Sequence, residues 1–165
     1  MNKLEEIEDA IGYELPNAVR YACLNDTQVV HAAMLVNERT GEILAHAINK
    51  RICSLDVKVT SRLSIHAEQE LFYTLEEKVS KNLLAANQLR GKKTLISLRF
   101  DRNGHISHSK ICSACAQIIR KKYDHFVNDV MYVDKNKQMS TISVVEMCEI
   151  ATPSRGDKRI RNLVL

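Results

Sequence analysis

Residues 94–133 run TLISLRFDRNGHISHSKICSACAQIIRKKYDHFVNDVMYV, and the change of period within this stretch decides the fold. In TLISLRF, Leu95, Ser97 and Arg99 alternate against Ile96, Leu98 and Phe100, the two-residue repeat of a strand. DRNG is a turn. SHSKI then leads into CSACAQIIRKKY, where Ala116, Ile119 and Tyr123 fall on one side at helical spacing. Arg120, Lys121 and Lys122 close that helix, and basic residues there complement the helix dipole. DVMYVD (129–134) returns to a strand. A strand, a helix and a strand in succession point to a sheet covered by helices.

The flanking sequence extends the same alternation. IHAEQELFYTLEEKV (65–79) places Ile65, Leu71, Phe72, Leu75 and Val79 near one stripe, so a helix is expected, with Ser64 as N-cap and Ile65 at its start. SKNLLAANQLRGKK (80–93) is looser, an extended helix or an inserted loop ending near Gly91. Upstream, QVVHAAMLV and EILAHAINK flank the turn NERTG and read as a hairpin. Both strands are mostly apolar, so both faces should be covered. Pro16 separates an acidic amphipathic start from NAVRYACL, a second short helix with Val19, Ala22 and Cys23 on one face. STISVVEM (140–147) is a strand, or a strand running into a helix. The fold class expected is α/β, a three-layer α/β/α sandwich with a mixed central sheet. One domain over 1–165 is expected: helices in 1–27, a motif-bearing core in 28–134, and a strand, helix and basic tail in 135–165.

Composition narrows the function classes. The chain has 165 residues, 45% hydrophobic and 27% charged, as a globular domain has. No apolar run approaches the roughly 20 residues of a membrane helix, so no membrane partner is expected. The opening is acidic rather than signal-like, and the 5 cysteines are odd in number and irregularly spaced. A reducing, cytoplasmic setting is expected, where a close cysteine pair serves metal or catalysis. The net charge of +4 permits contact with phosphates. Part of it sits in RGDKRIRN, where Arg155, Lys158, Arg159 and Arg161 face only Asp157; this reads as a solvated tail.

Two motifs open helices: His66-Ala67-Glu68 and Cys112-Ser113-Ala114-Cys115. Composition alone gives roughly 0.4 HxE matches, so neither motif is decisive by itself. Together they say more. Cysteines at i and i+3 in a first helical turn share one side, and the free N–H groups there favour thiolate. Two thiolates and an imidazole make a three-ligand zinc site whose fourth position stays open to water, the catalytic arrangement. Glu68, bordering the same cavity, could take and return protons. A structural site would have no use for that carboxylate.

This pattern resembles the zinc-dependent deaminase superfamily, which includes cytidine, deoxycytidylate, tRNA-adenosine and polynucleotide cytosine deaminases and carries an H-x-E…P-C-x-x-C signature. The resemblance runs from about Val29 to Val133. It implies a cytidine deaminase-like sandwich and a Zn²⁺ bound by His66, Cys112 and Cys115, with Glu68 as the proton shuttle. It further implies a pocket lined near Ala67 and Cys112, and substrate contacts from Asn49 and from His108 in the loop before the cysteines. The implied activity is hydrolytic deamination of a nucleobase, cytosine first, in a nucleoside, nucleotide or RNA, by a homo-oligomer. Two departures stand out. Ile111 occupies the place of the family proline, and 43 residues separate Glu68 from Cys112, more than in compact members. A catalytically silent zinc-binding module of the same fold, acting as a partner subunit or nucleic-acid binder, is the alternative. A CxxC oxidoreductase is the third reading, and it leaves His66-Ala67-Glu68 without a role.

The remaining polar residues have plainer readings. His31 and His46, within apolar strands, read as hydrogen-bonded structural residues. His105 reads as solvent-exposed. Ser109 reads as a cap for the CxxC helix. Cys53 and Cys148 read as packing, and Arg51 and Arg62 as surface residues within reach of a phosphate.

Overall fold

A computed structural model describes residues 3–25, 29–51 and 64–153. Cys53, Arg62 and the basic tail lie outside the described residues. Helices α1 (Lys3–Ile11) and α2 (Asn17–Asn25) precede the hairpin of β1 (Val30–Asn37) and β2 (Ile43–Ile48). A two-stranded ribbon, β3 (Lys50–Arg51) and β4 (Ser64–Ile65), leads to α3 (Ala67–Ser80) and the single turn α4 (Ala86–Leu89). Then come β5 (Lys93–Phe100), β6 (Ile106–Ser107), α5 (Ser113–Lys122), β7 (Asp129–Val133), β8 (Met139–Ser143) and α6 (Val144–Ile150).

The main sheet runs β2-β1-β5-β7-β8, with β6 added to the end of β5. Only β5 and β7 pair in parallel; β1–β2, β1–β5, β5–β6 and β7–β8 are antiparallel. The sheet is therefore mixed. The parallel pair requires a crossover, and α5 is its helix. β1 is an interior strand, between β2 and β5, and is buried along nearly its whole length, which its mostly apolar run requires.

Two apolar layers lie on the two faces. Ile96, Leu98 and Phe100 of β5 join Ala32, Met34 and Val36 of β1 against Ile7, Ile11, Val19 and Ala22 of the first two helices. Leu95 joins Ala33 and Leu35 against Leu71, Phe72 and Leu75 of α3, Ala116 and Ile119 of α5, and Met147 of α6. The architecture is a three-layer α/β/α sandwich, as the alternation in TLISLRF leads one to expect.

Two local features differ from the sequence expectation, and a third settles an alternative. The α3 helix begins at Ala67 rather than Ile65, because Ser64 and Ile65 pair with Arg51 and Lys50 and are held extended. Val79 is exposed, since the final turn of α3 runs past the sheet. The looser segment 80–93 is a loop holding one helical turn, with Gly91 at φ +93, a conformation open to glycine at little cost. Lys93, just after it, is buried and donates from Nζ to the Gly91 carbonyl at 3.0 Å.

Candidate metal centre

The helices α3 and α5 start at the same place, and each starts on a metal-ligand residue type. His66 is the N-cap of α3, at φ −66 and ψ 148. Cys112 is the N-cap of α5, at φ −69 and ψ 160. An extended N-cap lies outside the helix while its side chain stays over the mouth. Two residues along a regular helix point roughly 200° apart, but His66 is not helical, so it and Glu68, in the first turn, need not point opposite ways. The backbone N–H of His66 is held by Gln69 Oε1 at 3.4 Å.

His66 Nδ1 lies 3.3 Å from Cys112 Sγ and 3.3 Å from Cys115 Sγ. The three donor atoms all lie within 4.8 Å of one another. Ligands of tetrahedral zinc at 2.0–2.3 Å from the metal stand roughly 3.5–4 Å apart, so the cluster fits such an ion. The described cysteines are all free thiols, so no disulfide competes for these sulfurs. The hydrogen bond with Cys115 lowers the Cys112 thiol to about 5, with His66 adding to the shift and burial opposing it. Cys115 is buried and Cys112 half-buried. Ile111 is fully buried in the core, and Cys112 after it is extended.

Glu68 has its side chain only 2% exposed, and Ala67 beside it is fully buried. Glu68 Oε1 lies 3.2 Å from His31 Nε2 and 3.3 Å from Ser97 Oγ. The Ser97 hydroxyl has one proton, and its shortest acceptor is the Ser109 carbonyl at 2.8 Å. His31 Nε2 is also 3.1 Å from Ser97 Oγ, so a proton carried there can be given to the carboxylate or to the hydroxyl oxygen. Burial pushes the Glu68 carboxyl up; the charge and hydrogen bond of His31, the helix backbone and the charge of His66 outweigh it and hold it at about 2. An ionised carboxylate beside a metal cluster can accept a proton and give it back.

The other expected residues are placed as follows. Asn49 Oδ1 accepts the backbone N–H of His31 at 2.9 Å, and the Asn49 N–H donates to the His31 carbonyl at 2.9 Å. It extends the β1–β2 ladder and anchors the strand end that carries His31. His108 is half-buried in the loop before α5, among the charges of Lys110, Lys135 and Arg99. Ser109 caps no helix: its hydroxyl donates to Ser97 O at 2.7 Å and accepts from Val133 N at 2.8 Å, bridging β5 to the end of β7. Cys148 donates to the Ala116 carbonyl at 3.3 Å, which is packing between α6 and α5.

Two residues at the site carry no motif. His31 and Ser97 both touch Glu68, and only the register of β1 against β5 brings them there. A histidine in phase with Ala33 and Leu35 was the one available signal, since that phase aims it at the same layer. A groove of about 440 Å³ also reaches the site between α3 and α5, with Glu68 and Cys115 at its buried end and Phe72, Tyr73 and Tyr123 along it. The Phe72 and Tyr123 rings stack there at 4.0 Å.

The crystal structure of cytidine deaminase from Burkholderia pseudomallei is similar to this chain with a TM-score of 0.48 and 14% identity, over 81% of this chain and 93% of that one. No protein-family model and no curated protein matches. Among the described residues no helix is long and apolar enough to cross a membrane.

Proposed function

We propose that the chain is a zinc-dependent hydrolytic deaminase of a nucleobase, cytosine first, in a nucleoside, nucleotide or RNA. One observation supports this above the others: a three-donor cluster of His66, Cys112 and Cys115 has beside it a buried carboxylate within hydrogen-bond distance of His31. A structural zinc site uses four protein ligands, and among the described residues this cluster has three. When bound there, zinc would acidify the attacking water.

The chain's own residues supply the rest. Glu68 Oε takes the proton released as water adds to the ring carbon that bears the amino group. It passes that proton to the ring nitrogen, then takes the proton of the new hydroxyl on the ring carbon and gives it to the departing amine. The exocyclic C–N bond breaks, ammonia leaves, and the carbonyl base remains. His31 holds Glu68 Oε1 through its Nε2–H, which keeps the carboxylate ionised and aimed. Backbone near Ala67 and Cys112 borders the reacting base, and the burial of Glu68 excludes bulk water from the proton transfer.

The test is ammonia release by the zinc-loaded protein from cytidine, deoxycytidine, their monophosphates, adenosine, guanine and small RNAs. Release by the wild type, lost in Glu68→Gln while zinc is retained, is the expected result. A wild type that holds zinc yet releases ammonia from none of these would leave the silent zinc module as the reading.

A further inference from the structure

The strand register extends the site one step past Glu68. His31 stands opposite Arg99 in the β1–β5 ladder, and Arg99 stands opposite Ser107 in the β5–β6 ladder. Directly paired residues present their side chains on the same face. Arg99 therefore shares the face of His31 and Ser97, which is the face of the metal cluster. Two residues along a strand span roughly 7 Å, which sets Arg99 that far along from Ser97, whose hydroxyl touches Glu68. Exposure rises along the same path, from Glu68 at 2% through His31 at 24% to Arg99, which is exposed. The strand side of the site thus runs from a buried carboxylate to an exposed cation.

Arg99 is not neutralised there. Among the described residues no carboxylate lies within ion-pair distance of it. Two acids of the neighbouring turns bond to the backbone of those turns. Asp101 Oδ1 accepts from the N–H groups of Asn103 and His105, each at 2.9 Å. Asp134 Oδ1 accepts from Asn136 at 2.8 Å and Gln138 at 3.0 Å. Such Asx turns hold a carboxylate against local backbone. Burial, then the charges of Lys110, Lys135 and Arg99, hold the His108 imidazole below its usual pKa against the opposing charge of Asp134. Lys110 is itself tied to the Ile150 carbonyl at 2.9 Å. The groove between α3 and α5, by contrast, has Lys122 as its one lining cation.

We infer that Arg99, with Lys135 and His108 in its neighbourhood, forms a phosphate-binding subsite on the exposed strand side of the site, so that the substrate is a nucleobase whose sugar carries a phosphate. The inference rests on the nucleobase reading above and narrows it. The phosphate belongs either to a mononucleotide or to one unit of a strand. A guanidinium offers paired N–H donors that match two phosphate oxygens, which a lysine ammonium does not.

The experiment measures binding apart from turnover. Cytidine, cytidine 5′-monophosphate, adenosine 5′-monophosphate and a short cytosine-containing oligonucleotide are titrated calorimetrically into full-length, zinc-loaded Glu68→Gln protein, with and without Arg99→Ala or Arg99→Lys. Arg99→Ala is expected to weaken the phosphate-bearing probes by about tenfold or more, and cytidine by clearly less. Arg99→Lys should recover part of the loss, Lys135→Ala should give a smaller loss of the same sign, and added salt should shrink both. Tighter binding of the oligonucleotide than of the monophosphates identifies a strand as the source of the phosphate; the reverse identifies a free nucleotide. Equal weakening of cytidine and its monophosphate by Arg99→Ala, or no phosphate-bearing probe bound at all, overturns the subsite. Ammonia release with Arg99-independent binding sinks the subsite alone. Arg99-dependent binding by a wild type that releases no ammonia from any substrate supports the subsite and sinks the deaminase.

Discussion

The two faces of β5 divide the labour of the molecule. On one face Ile96, Leu98 and Phe100 enter a layer of aliphatic side chains under α1 and α2. On the other, the same strand passes from buried Leu95 through Ser97, whose hydroxyl touches Glu68, to exposed Arg99, four positions on. The first face can only contribute packing. The second changes from core to chemistry to solvent along its length, and it does so where α3 and α5 both begin. Stability should therefore be sensitive on one face, and turnover at one end of the other.

The strongest way to break this contrast is at Glu68. Glu68→Gln keeps the shape and can still bond with His31 and Ser97, but it cannot accept the proton. Turnover should fall by roughly 10²–10⁴, with zinc content and melting temperature close to wild type, read by ammonia assay, metal analysis and calorimetry. A modest loss of turnover would remove Glu68 from the chemistry. On the opposite face Leu98→Ala should do the reverse. Leu98 is fully buried, so truncation should cost about 3 kcal/mol, near 9 °C in melting temperature for a chain of this size. Zinc stoichiometry below the transition should not change. If it falls, the two faces are coupled and the division is wrong.

His31 tests the boundary between the faces' roles. It lies in the strand most buried by packing, yet its ring serves the carboxylate. His31→Ala should lower kcat by about tenfold or more, with a smaller change in KM, and His31→Gln, which keeps a donor near the same place, should restore part of it. A purely structural histidine would lower the melting temperature without that split between kcat and KM.

What the sequence revealed, and what it did not, follows the range of the interactions. The layers of the sandwich were legible because alternation in TLISLRF and the helical stripe of Leu71, Phe72 and Leu75 are local properties. The cluster of His66, Cys112 and Cys115 was legible because each motif opens a helix, and helix mouths favour thiolate and anions alike. The start of α3 was misjudged by two residues, since nothing local shows that Ser64 and Ile65 are claimed by β3. The contacts of His31 and Ser97 with Glu68 were not legible beyond the phase of His31 with Ala33 and Leu35. They depend on which residue of β1 faces which residue of β5, and a shift of one would turn every side chain to the other face. Ser109 was read as a cap for the same reason: its partners Ser97 and Val133 are strand residues distant in sequence.

The smallest expected effect separates the two ends of the helix pair. At their mouths α3 and α5 share the metal cluster; toward the far end of α5, Tyr123 stacks on Phe72 and its hydroxyl donates to Glu76. Burial, with the hydrogen bond and charge of Glu76 adding to it, pushes the Tyr123 phenol up to about 12. A raised folded pKa favours the neutral phenol in the native state. The contribution is therefore complete below the unfolded value of about 10 and is lost as pH rises toward 12. Glu76→Gln should bring the phenol's titration, followed by ultraviolet absorbance, back toward 10. It should cost less than about 1 kcal/mol, as a surface contact does, and leave zinc binding unaltered. A change in zinc affinity on Glu76→Gln would mean that the far contact helps set the angle between the two helix mouths. The metal site would then depend on the whole length of α3 and α5 rather than on their first turns.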